Sequence, residues 1–263
     1  MKKQQLTLTA LLVLSLMLFS CSDDDTGTTP EEKEDVTYYN NEINSYTYNE
    51  YDLDSNNVEI SETSHQDSLS HTQETTKDRK TASEFMVFTN IEGSYMEDGT
   101  EFYAGETNKL YAHLSVFQGM FANIESNGFT LSALFDSAGD WFLIADAKAT
   151  STWTLFDGKI NFDLPILGST DADVKITMKN DGTNSVTING KASNVDVYTY
   201  TANIKATTNG QVIDIDVRGS FWVAPNIGIV KSNVYTFNVP LIGDIEGTER
   251  VLVNYTLQEP VKN

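Results

Sequence analysis

The sequence predicts an all-β domain whose antiparallel sheet is curved into a half-barrel, with a two-sheet β-sandwich as the alternative. The first observation is an alternation of apolar and polar residues, as in residues 213–217, which is typical of strands with one face in water. The second is a set of Asx-Gly pairs, which tolerate the positive φ angles of tight hairpins. These pairs are Asp98-Gly99, Asp157-Gly158, Asp181-Gly182, Asn189-Gly190 and Asn209-Gly210.

The alternation recurs from the middle of the chain to its C-terminus. Residues 116–136 carry a partial helical stripe that Gly119 and Gly128 interrupt, so we expect at most one short helix. About ten strands in one flat, open sheet would expose edges that invite aggregation, so we expect the sheet to bend. The alternating runs cover residues 174–178, 186–188, 195–201, 213–217, 235–239 and 251–257.

The N-terminus has the layout of a bacterial lipoprotein signal. Lys2 and Lys3 precede an apolar stretch over residues 6–19, and Ser20 stands directly before Cys21, the only cysteine. The apolar stretch is shorter than the roughly 20 residues that a membrane-spanning helix needs. The resemblance implies cleavage after residue 20 and lipidation of Cys21, so that acyl chains attach the mature protein to a membrane.

An acidic segment follows the lipidation site and consists of Ser22, Asp23, Asp24 and Asp25. This segment resembles the export signal of surface lipoproteins in the Bacteroidota. The resemblance implies an outer-membrane protein displayed on the cell surface, with attachment to the periplasmic face as the alternative. The next residues are poor in apolar side chains and predict a solvated tether. The predicted parts are a signal peptide (1–20), a lipidated acidic tether (21–36) and one β-rich domain (37–263).

The charge of the chain excludes one class of partner. The net charge is −21 at pH 7, so the chain lacks the broad basic footprint that nucleic-acid binding requires. Anionic lipid would also repel it, so membrane attachment must come from the acyl chains. We therefore predict the membrane as a partner through the N-terminal acyl chains, and no nucleic acid.

Landmarks along the chain resemble the TapB-like envelope lipoproteins of Bacteroidota, a family of unknown function. The resemblance implies a curved β-sheet related to the cup of lipoprotein carriers such as LolA, over about residues 37–259, and it implies no chemistry. The landmarks are Tyr46-Thr47-Tyr48, Asp54-Ser55-Asn56-Asn57, Trp141, Trp153 and residues 221–232, which read Phe-Trp-Val-Ala-Pro-Asn-Ile-Gly-Ile-Val-Lys-Ser.

The sequence predicts a protein without enzymatic activity. The three histidines are His65, His71 and His113, and none is flanked by a recognisable catalytic partner. No nucleophile elbow, metalloprotease helix or phosphate-binding loop occurs. We expect His65 and His71 to face water and His113 to be a satisfied strand residue. We predict no catalytic, cofactor-binding or metal-binding residues, and no cofactor.

Two acidic pairs raise a calcium hypothesis. Asp171 with Asp173, and Asp214 with Asp216, each place two carboxylates on one side of a strand, and Ca²⁺ prefers such oxygen ligands. Neither pair continues into an EF-hand pattern. Alternating strands explain both pairs as a solvated face, which is the interpretation that we adopt.

Three functional classes remain open. The first is a non-catalytic surface lipoprotein that binds an apolar or amphiphilic ligand, or an envelope protein partner. The second is a glycan-binding or adhesive module, suggested by 12 Tyr, 13 Phe and 3 Trp, whose rings can stack on sugars. The third is a hydrolase with dispersed catalytic residues. An open apolar cup, an exposed aromatic strip or a buried Ser-His-carboxylate cluster would distinguish these classes.

Overall fold

Strands dominate the computed structural model of this chain. The residues that the structure describes are 34–120, 139–164, 168–208, 210–240 and 243–259, and strands account for 77% of them. No helix in these ranges is long and apolar enough to cross a membrane. The predicted signal peptide, the lipidation site and the export signal lie outside the described residues. These sites are Cys21, Ser22, Asp23, Asp24 and Asp25.

The described ranges contain fourteen strands and one helix. The strands are β1 (Ile43–Leu53), β2 (Glu59–Lys77), β3 (Lys80–Ile91), β4 (Ser94–Glu106), β5 (Lys109–His113), β6 (Trp141–Asp146), β7 (Trp153–Leu164), β8 (Gly168–Ile188), β9 (Lys191–Thr208), β10 (Gln211–Ala224), β11 (Gly228–Val234), β12 (Phe237–Val239), β13 (Gly243–Ile245) and β14 (Gly247–Leu257). The helix α1 (Leu114–Met120) follows β5 directly and begins two residues before the region 116–136 in which the sequence predicts at most one short helix, and residues 121–136 lie outside the described residues.

Twelve strands form one antiparallel sheet in the order β6-β5-β4-β3-β2-β1-β14-β11-β10-β9-β8-β7, and β12 pairs separately with β13. The large sheet curls until it is nearly closed. Its two end strands meet where Trp153 of β7 donates its indole N–H to the Leu143 carbonyl of β6, at 3.0 Å. The predicted curved antiparallel sheet is therefore confirmed, and the two-sheet sandwich is not what forms.

Some of the predicted Asx-Gly turns connect strands. Asn189-Gly190 joins β8 to β9 with φ angles of 50° and 72°, and Gly210, at φ 77°, lies between β9 and β10. A left-handed backbone of this kind costs little at Gly and Asn. The prediction is correct for Asn189-Gly190 and for Gly210, and Asn209 lies outside the described residues.

The other three Asx-Gly pairs lie inside strands, so predicting turns there was wrong. Asp98-Gly99 and Asp181-Gly182 lie where the register of β4 and β8 shifts, and Asp157-Gly158 lies in regular pairing within β7. The hairpin turn between β2 and β3 instead uses Asp78-Arg79, both at positive φ. Glycine in a strand marks a bulge as readily as a turn, and the short pattern does not separate the two.

The inner face of the large sheet carries the hydrophobic core. Phe85, Tyr198 and Phe221 on this face are fully buried. Helix α1 contributes Phe117, whose ring meets Phe142 and Phe221 edge-on, with centroids 4.8 and 5.9 Å away. Edge-to-face packing at these separations is favourable. The aromatic residues of the sequence are thus used mainly to fill the interior.

The segment before β1 is attached across one end of the sheet. Val36 donates its N–H to Asn108 Oδ1 (2.8 Å), and the Asn108 N–H returns a bond to the Val36 carbonyl (2.6 Å). On the opposite side, Asn226 donates its N–H to the Thr37 carbonyl at 2.7 Å. The segment therefore bridges the β4–β5 and β10–β11 turns.

Candidate functional site

Eight polar side chains form two rows across the outer face of β7, β8, β9 and β10, and we call them the charge ladder. In the first row, Lys159 stands opposite Asp173, Asp173 opposite Lys205, and Lys205 opposite Asp214. The ion pairs are 3.5 Å for Lys159–Asp173 and 3.2 Å for Lys205–Asp214. The charge thus changes sign at every step across four strands.

The second row of the charge ladder runs beside the first. Asp157 stands opposite Lys175, with an ion pair of 3.2 Å, and Lys175 stands opposite Asn203. Asn203 in turn stands opposite Asp216 and donates its amide N–H to that carboxylate. Opposite charges at directly facing positions are the favourable cross-strand arrangement.

The alternation of the strands places the charge ladder in solvent. Val174 and Ile215 lie between its members along β8 and β10 and are each about 2% exposed. Above the ladder is an open groove of about 900 Å³, lined by its eight members together with Gly158, Val174 and Asn238. Exposed ion pairs of this kind contribute only about 0.2–1 kcal/mol each to stability. The charge ladder is therefore suited to recognition more than to holding the fold together.

The charge ladder includes three of the four carboxylates of the acidic pairs. Asp173 and Asp214 are each matched to a lysine, and Asp216 is bonded to Asn203 with Arg218 3.9 Å away. Asp171 is exposed on the same side of β8. Asp173, Asp214 and Asp216 thus have polar or cationic partners on the sheet, and the solvated face stays the interpretation that we adopt.

A second group of charges lies on the inner face of the sheet, and we call it the arginine cluster. Arg250 of β14 donates from Nη1 to Glu101 of β4 at 2.9 Å, and its Nη2 lies 3.5 Å from Asp67 of β2. Its guanidinium carbon lies 4.5 Å from the ring centroid of Tyr48. Arg250, Asp67 and Glu101 are each less than a tenth exposed. The remaining members of the cluster are Glu50 and His65.

The electrostatics of the arginine cluster are unbalanced, because three carboxylates face one guanidinium. Burial is the main cause that raises the pKa of Glu50 to about 7, Arg250 opposes this rise, and Asp67 adds to it. Burial acts to lower the pKa of Arg250, but Glu101 and the other anions hold it well above its usual value. The guanidinium therefore stays charged, and Glu50 is the group for which compensation is least complete.

Sequence patterns alone do not predict the arginine cluster. We expect His65 to face water, and in the structure it is partly covered, while Asp67, two residues further along β2, is 5% exposed. The pairing of β1 with β14 brings Arg250 opposite Glu50, 200 positions away in the chain. Alternation indicates which residues share a face, but only the closure of the sheet shows which face is inside.

His71 does not face water as expected. Its side chain is 12% exposed and lies edge-on to Phe85 at 5.4 Å, while Nε2 is 3.3 Å from Glu74. The expectation was wrong because strand β2 places this residue beside an aromatic core residue. An imidazole can be covered when a ring packs against it and a carboxylate satisfies its nitrogen.

His113 is a satisfied residue, as predicted, and it joins a Ser-His-carboxylate arrangement. Its Nε2 lies 3.2 Å from Asp78, and its Nδ1 lies 3.1 Å from both the hydroxyl and the backbone N–H of Ser115. The Ser115 N–H donates to Nδ1, so the imidazole caps the first turn of α1. The lone pair that would accept the hydroxyl proton is thus already engaged. This geometry favours a capping role over that of a catalytic base.

The three tryptophans have separate roles. Trp141 donates its indole N–H to the Lys77 carbonyl at 3.2 Å, and Trp222 donates to the Ser220 hydroxyl at 3.1 Å. Trp153 links the end strands through its own indole N–H, as described above. All three are partly covered, and within the described ranges no ring contact joins any two of them. They do not form a sugar-stacking strip.

One small gap lies in the described part of the interior. Among Tyr46, Tyr48 and Tyr103 its volume is about 10 Å³, which is room for at most one water molecule. Two larger spaces are lined mainly by polar residues, namely the groove above the charge ladder and a cleft of about 360 Å³ beside Tyr39 and Glu74. Neither of these two spaces is an apolar cup.

Comparison with known proteins identifies the architecture. No protein-family model and no curated protein matches the sequence. A structure from Parabacteroides distasonis assigned as a lipoprotein superposes with a TM-score of 0.50 at 13% identity, over 85% of this chain and 100% of that one. A Bacteroides fragilis structure assigned as an exported protein with a YmcC-like fold superposes at 0.48 and 15%, over 84% and 99%. The first similarity supports the nearly closed all-β fold, and the TapB-like resemblance stays a prediction from the sequence.

Proposed function

We propose that this chain is a non-catalytic lipoprotein of the outer membrane, displayed on the cell surface, that binds an envelope protein through the charge ladder. The observation that carries the proposal is the two-row arrangement of Asp and Lys side chains on four adjacent strands, beneath an open groove of about 900 Å³. Alternating charges on a rigid sheet fix the register and orientation of a complementary protein surface.

A protein partner fits the groove better than the other two ligand classes. The groove is lined by charged and amide side chains and contains no aromatic ring, whereas sugar binding would use exposed rings for stacking. An apolar ligand needs an apolar concavity, whereas this groove is lined mainly by charged and amide side chains. The ladder carries both lysines and aspartates, whereas the chain as a whole has a net charge of −21. A partner with mixed charges therefore meets less electrostatic repulsion at the ladder than at a purely acidic surface.

The membrane attachment rests on the N-terminal sequence. Lipidation at Cys21 would supply the anchor, and the acidic residues after it would supply the export information. The fold similarity to a chain assigned as a lipoprotein supports this placement.

Binding through the charge ladder can be tested by site-specific photo-crosslinking in living cells. A photoreactive residue at Asn203, inside the groove, should give a discrete crosslinked species, and the same residue at exposed Tyr95 on β4 should not. Changing Lys159, Lys175 and Lys205 together to Glu should abolish the crosslink at residue 203 while leaving the amount of folded protein unchanged. A crosslink that survives this charge reversal would argue against the ladder as the docking surface.

The anchor and the export signal can be separated experimentally. Cys21→Ala should abolish incorporation of a fatty-acid analogue, since the thiol is the predicted acylation point. Changing Asp23, Asp24 and Asp25 together to Asn should leave the fatty-acid label intact. It should also protect the protein from protease that is added to intact cells. Equal labelling of Cys21→Ala would contradict the lipidation, and equal digestion of the triple variant would contradict the export role.

A further inference from the structure

Three members of the arginine cluster converge on one point near its exposed side. Glu50 of β1, His65 and Asp67 of β2 each direct a potential ligand atom to this point, and these three atoms lie within 4.8 Å of one another. The His65 Nε2 and Asp67 Oδ1 atoms are 3.7 Å apart. Strands β1 and β2 are paired so that Glu50 stands directly opposite His65. The convergence is therefore fixed by sheet register and does not depend on a mobile loop.

The charges at this point are only partly compensated by the protein. Arg250 donates its short contact to Glu101 at 2.9 Å, and its approach to Asp67 is longer, at 3.5 Å. Glu50 stands opposite Arg250 in the pairing of β1 with β14, so one guanidinium serves the three carboxylates of Glu50, Asp67 and Glu101. A buried carboxylate beside another is unfavourable unless a proton or a cation neutralises the pair.

The donor set has the chemistry of a transition-metal site. Two carboxylate oxygens and one imidazole nitrogen are ligands of Zn²⁺ and Mn²⁺, whereas Ca²⁺ and Mg²⁺ are bound through oxygen alone. With metal–ligand bonds of about 2.0–2.2 Å, one cation can contact two atoms that lie 3.7 Å apart, and a small rotation of the third side chain completes the set. The His65 side chain is 38% exposed, so a hydrated cation can reach the point from solvent.

We propose that Glu50, His65 and Asp67 form a binding site for a divalent first-row transition cation, with Zn²⁺ as the test ion and Mn²⁺ as the second. The cation takes the place of the missing positive charge between Glu50 and Asp67. Arg250 remains with Glu101 and leaves the neighbouring coordination positions to water. The site ties β1 to β2 beside the buried guanidinium.

The experiment uses the full chain carrying Cys21→Ser, so that no thiol competes for zinc, purified in detergent and treated with chelator. Calorimetric titration with Zn²⁺ and with Mn²⁺ should give one site per chain for at least one of the two ions. His65→Gln and Glu50→Gln should each weaken that binding at least about tenfold, since each removes one of three protein ligands. His71→Gln on the same strand and Asp214→Asn in the charge ladder are the matched controls and should bind as the parent chain does.

Thermal unfolding separates a ligand role from a structural one. Without metal, Glu50→Gln should unfold at the same temperature as the parent or higher, because it removes repulsion between two carboxylates. With metal, the parent should gain stability, since a ligand that binds only the folded state stabilises it, and Glu50→Gln should not. A variant that merely damaged the fold would lose stability in both conditions.

Defined results would overturn the proposal. One is a failure of both ions to bind, and another is tight stoichiometric binding that persists in His65→Gln. Saturable Ca²⁺ binding that is indifferent to His65→Gln would indicate an all-oxygen site and would equally contradict the assignment. X-ray absorption of the loaded chain should show a nitrogen and oxygen shell that includes one imidazole.

Discussion

The charge ladder and the arginine cluster are built from the same residue types on the same sheet, but they lie on opposite faces. In the ladder, Lys205 and Asp214 are both more than half exposed and 3.2 Å apart. In the cluster, the side chains of Arg250 and Glu101 are 11% and 6% exposed and 2.9 Å apart. The distances are nearly equal, so the environment is the main difference between the two pairs.

This comparison shows that burial, more than distance, sets what a charge contributes. Solvent and salt screen the exposed pair, and holding two long side chains in place consumes most of the gain. The buried pair is screened little, and removing one partner leaves an uncompensated charge in the interior. The outer charges can therefore change with little effect on stability, while the inner pair is part of what stabilises the fold.

The largest expected effect on stability comes from removing the buried guanidinium of Arg250. Arg250→Met keeps most of the side-chain volume but leaves the carboxylates of Glu101 and Asp67 without their positively charged partner. We therefore expect a loss of about 3–5 kcal/mol in the free energy of unfolding at neutral pH. Denaturant unfolding monitored by circular dichroism measures it. A loss below about 1 kcal/mol would place the cluster in the same class as the exposed pairs.

His113 is expected to give an intermediate effect that depends on pH. Burial lowers the pKa of His113, with Asp78 opposing this, so the folded state binds its proton less readily than the unfolded state. The contribution of His113 to the free energy of unfolding is therefore fully present above the unfolded pKa of about 6.5 and is lost as the pH falls through the lower folded pKa. For one proton, the slope is at most about 1.4 kcal/mol per pH unit.

The matched variant for this prediction is His113→Asn, which can still cap α1 but does not titrate. Its free energy of unfolding should fall less steeply than that of the parent between pH 7.5 and 5, whatever its absolute stability. Parallel pH profiles for the two chains would contradict the assigned cause.

The smallest expected effect is in the charge ladder. Lys205→Met removes the cation that faces Asp214 and Asp173, and we expect a change within about 1 kcal/mol, weaker still at high salt. The same denaturant titration used for Arg250→Met provides the direct comparison. A loss as large as that of the buried arginine would show that the ladder holds the sheet together and would weaken its role as a docking surface.

Several features of the fold could be read from the sequence. The alternation in residues 213–217 and 174–178 identifies strands in β10 and β8, and it assigns Asp214 and Asp216 to the solvated face. Asn189-Gly190 forms the predicted hairpin turn. These features are local, because side-chain direction in a strand repeats every two residues and a positive φ favours Gly and Asn.

What the sequence alone determined is therefore the all-β class, the outward charges of the ladder and the predicted lipid anchor at Cys21. Only the tertiary structure decided that Arg250 lies opposite Glu50, that His71 packs on Phe85 and that Asp181-Gly182 is a bulge. The physical reason is that strand order and sheet closure determine which distant residues meet and which polar face becomes the inside. A polar strand such as β2 has the same alternation whether water or a buried guanidinium lies beside it.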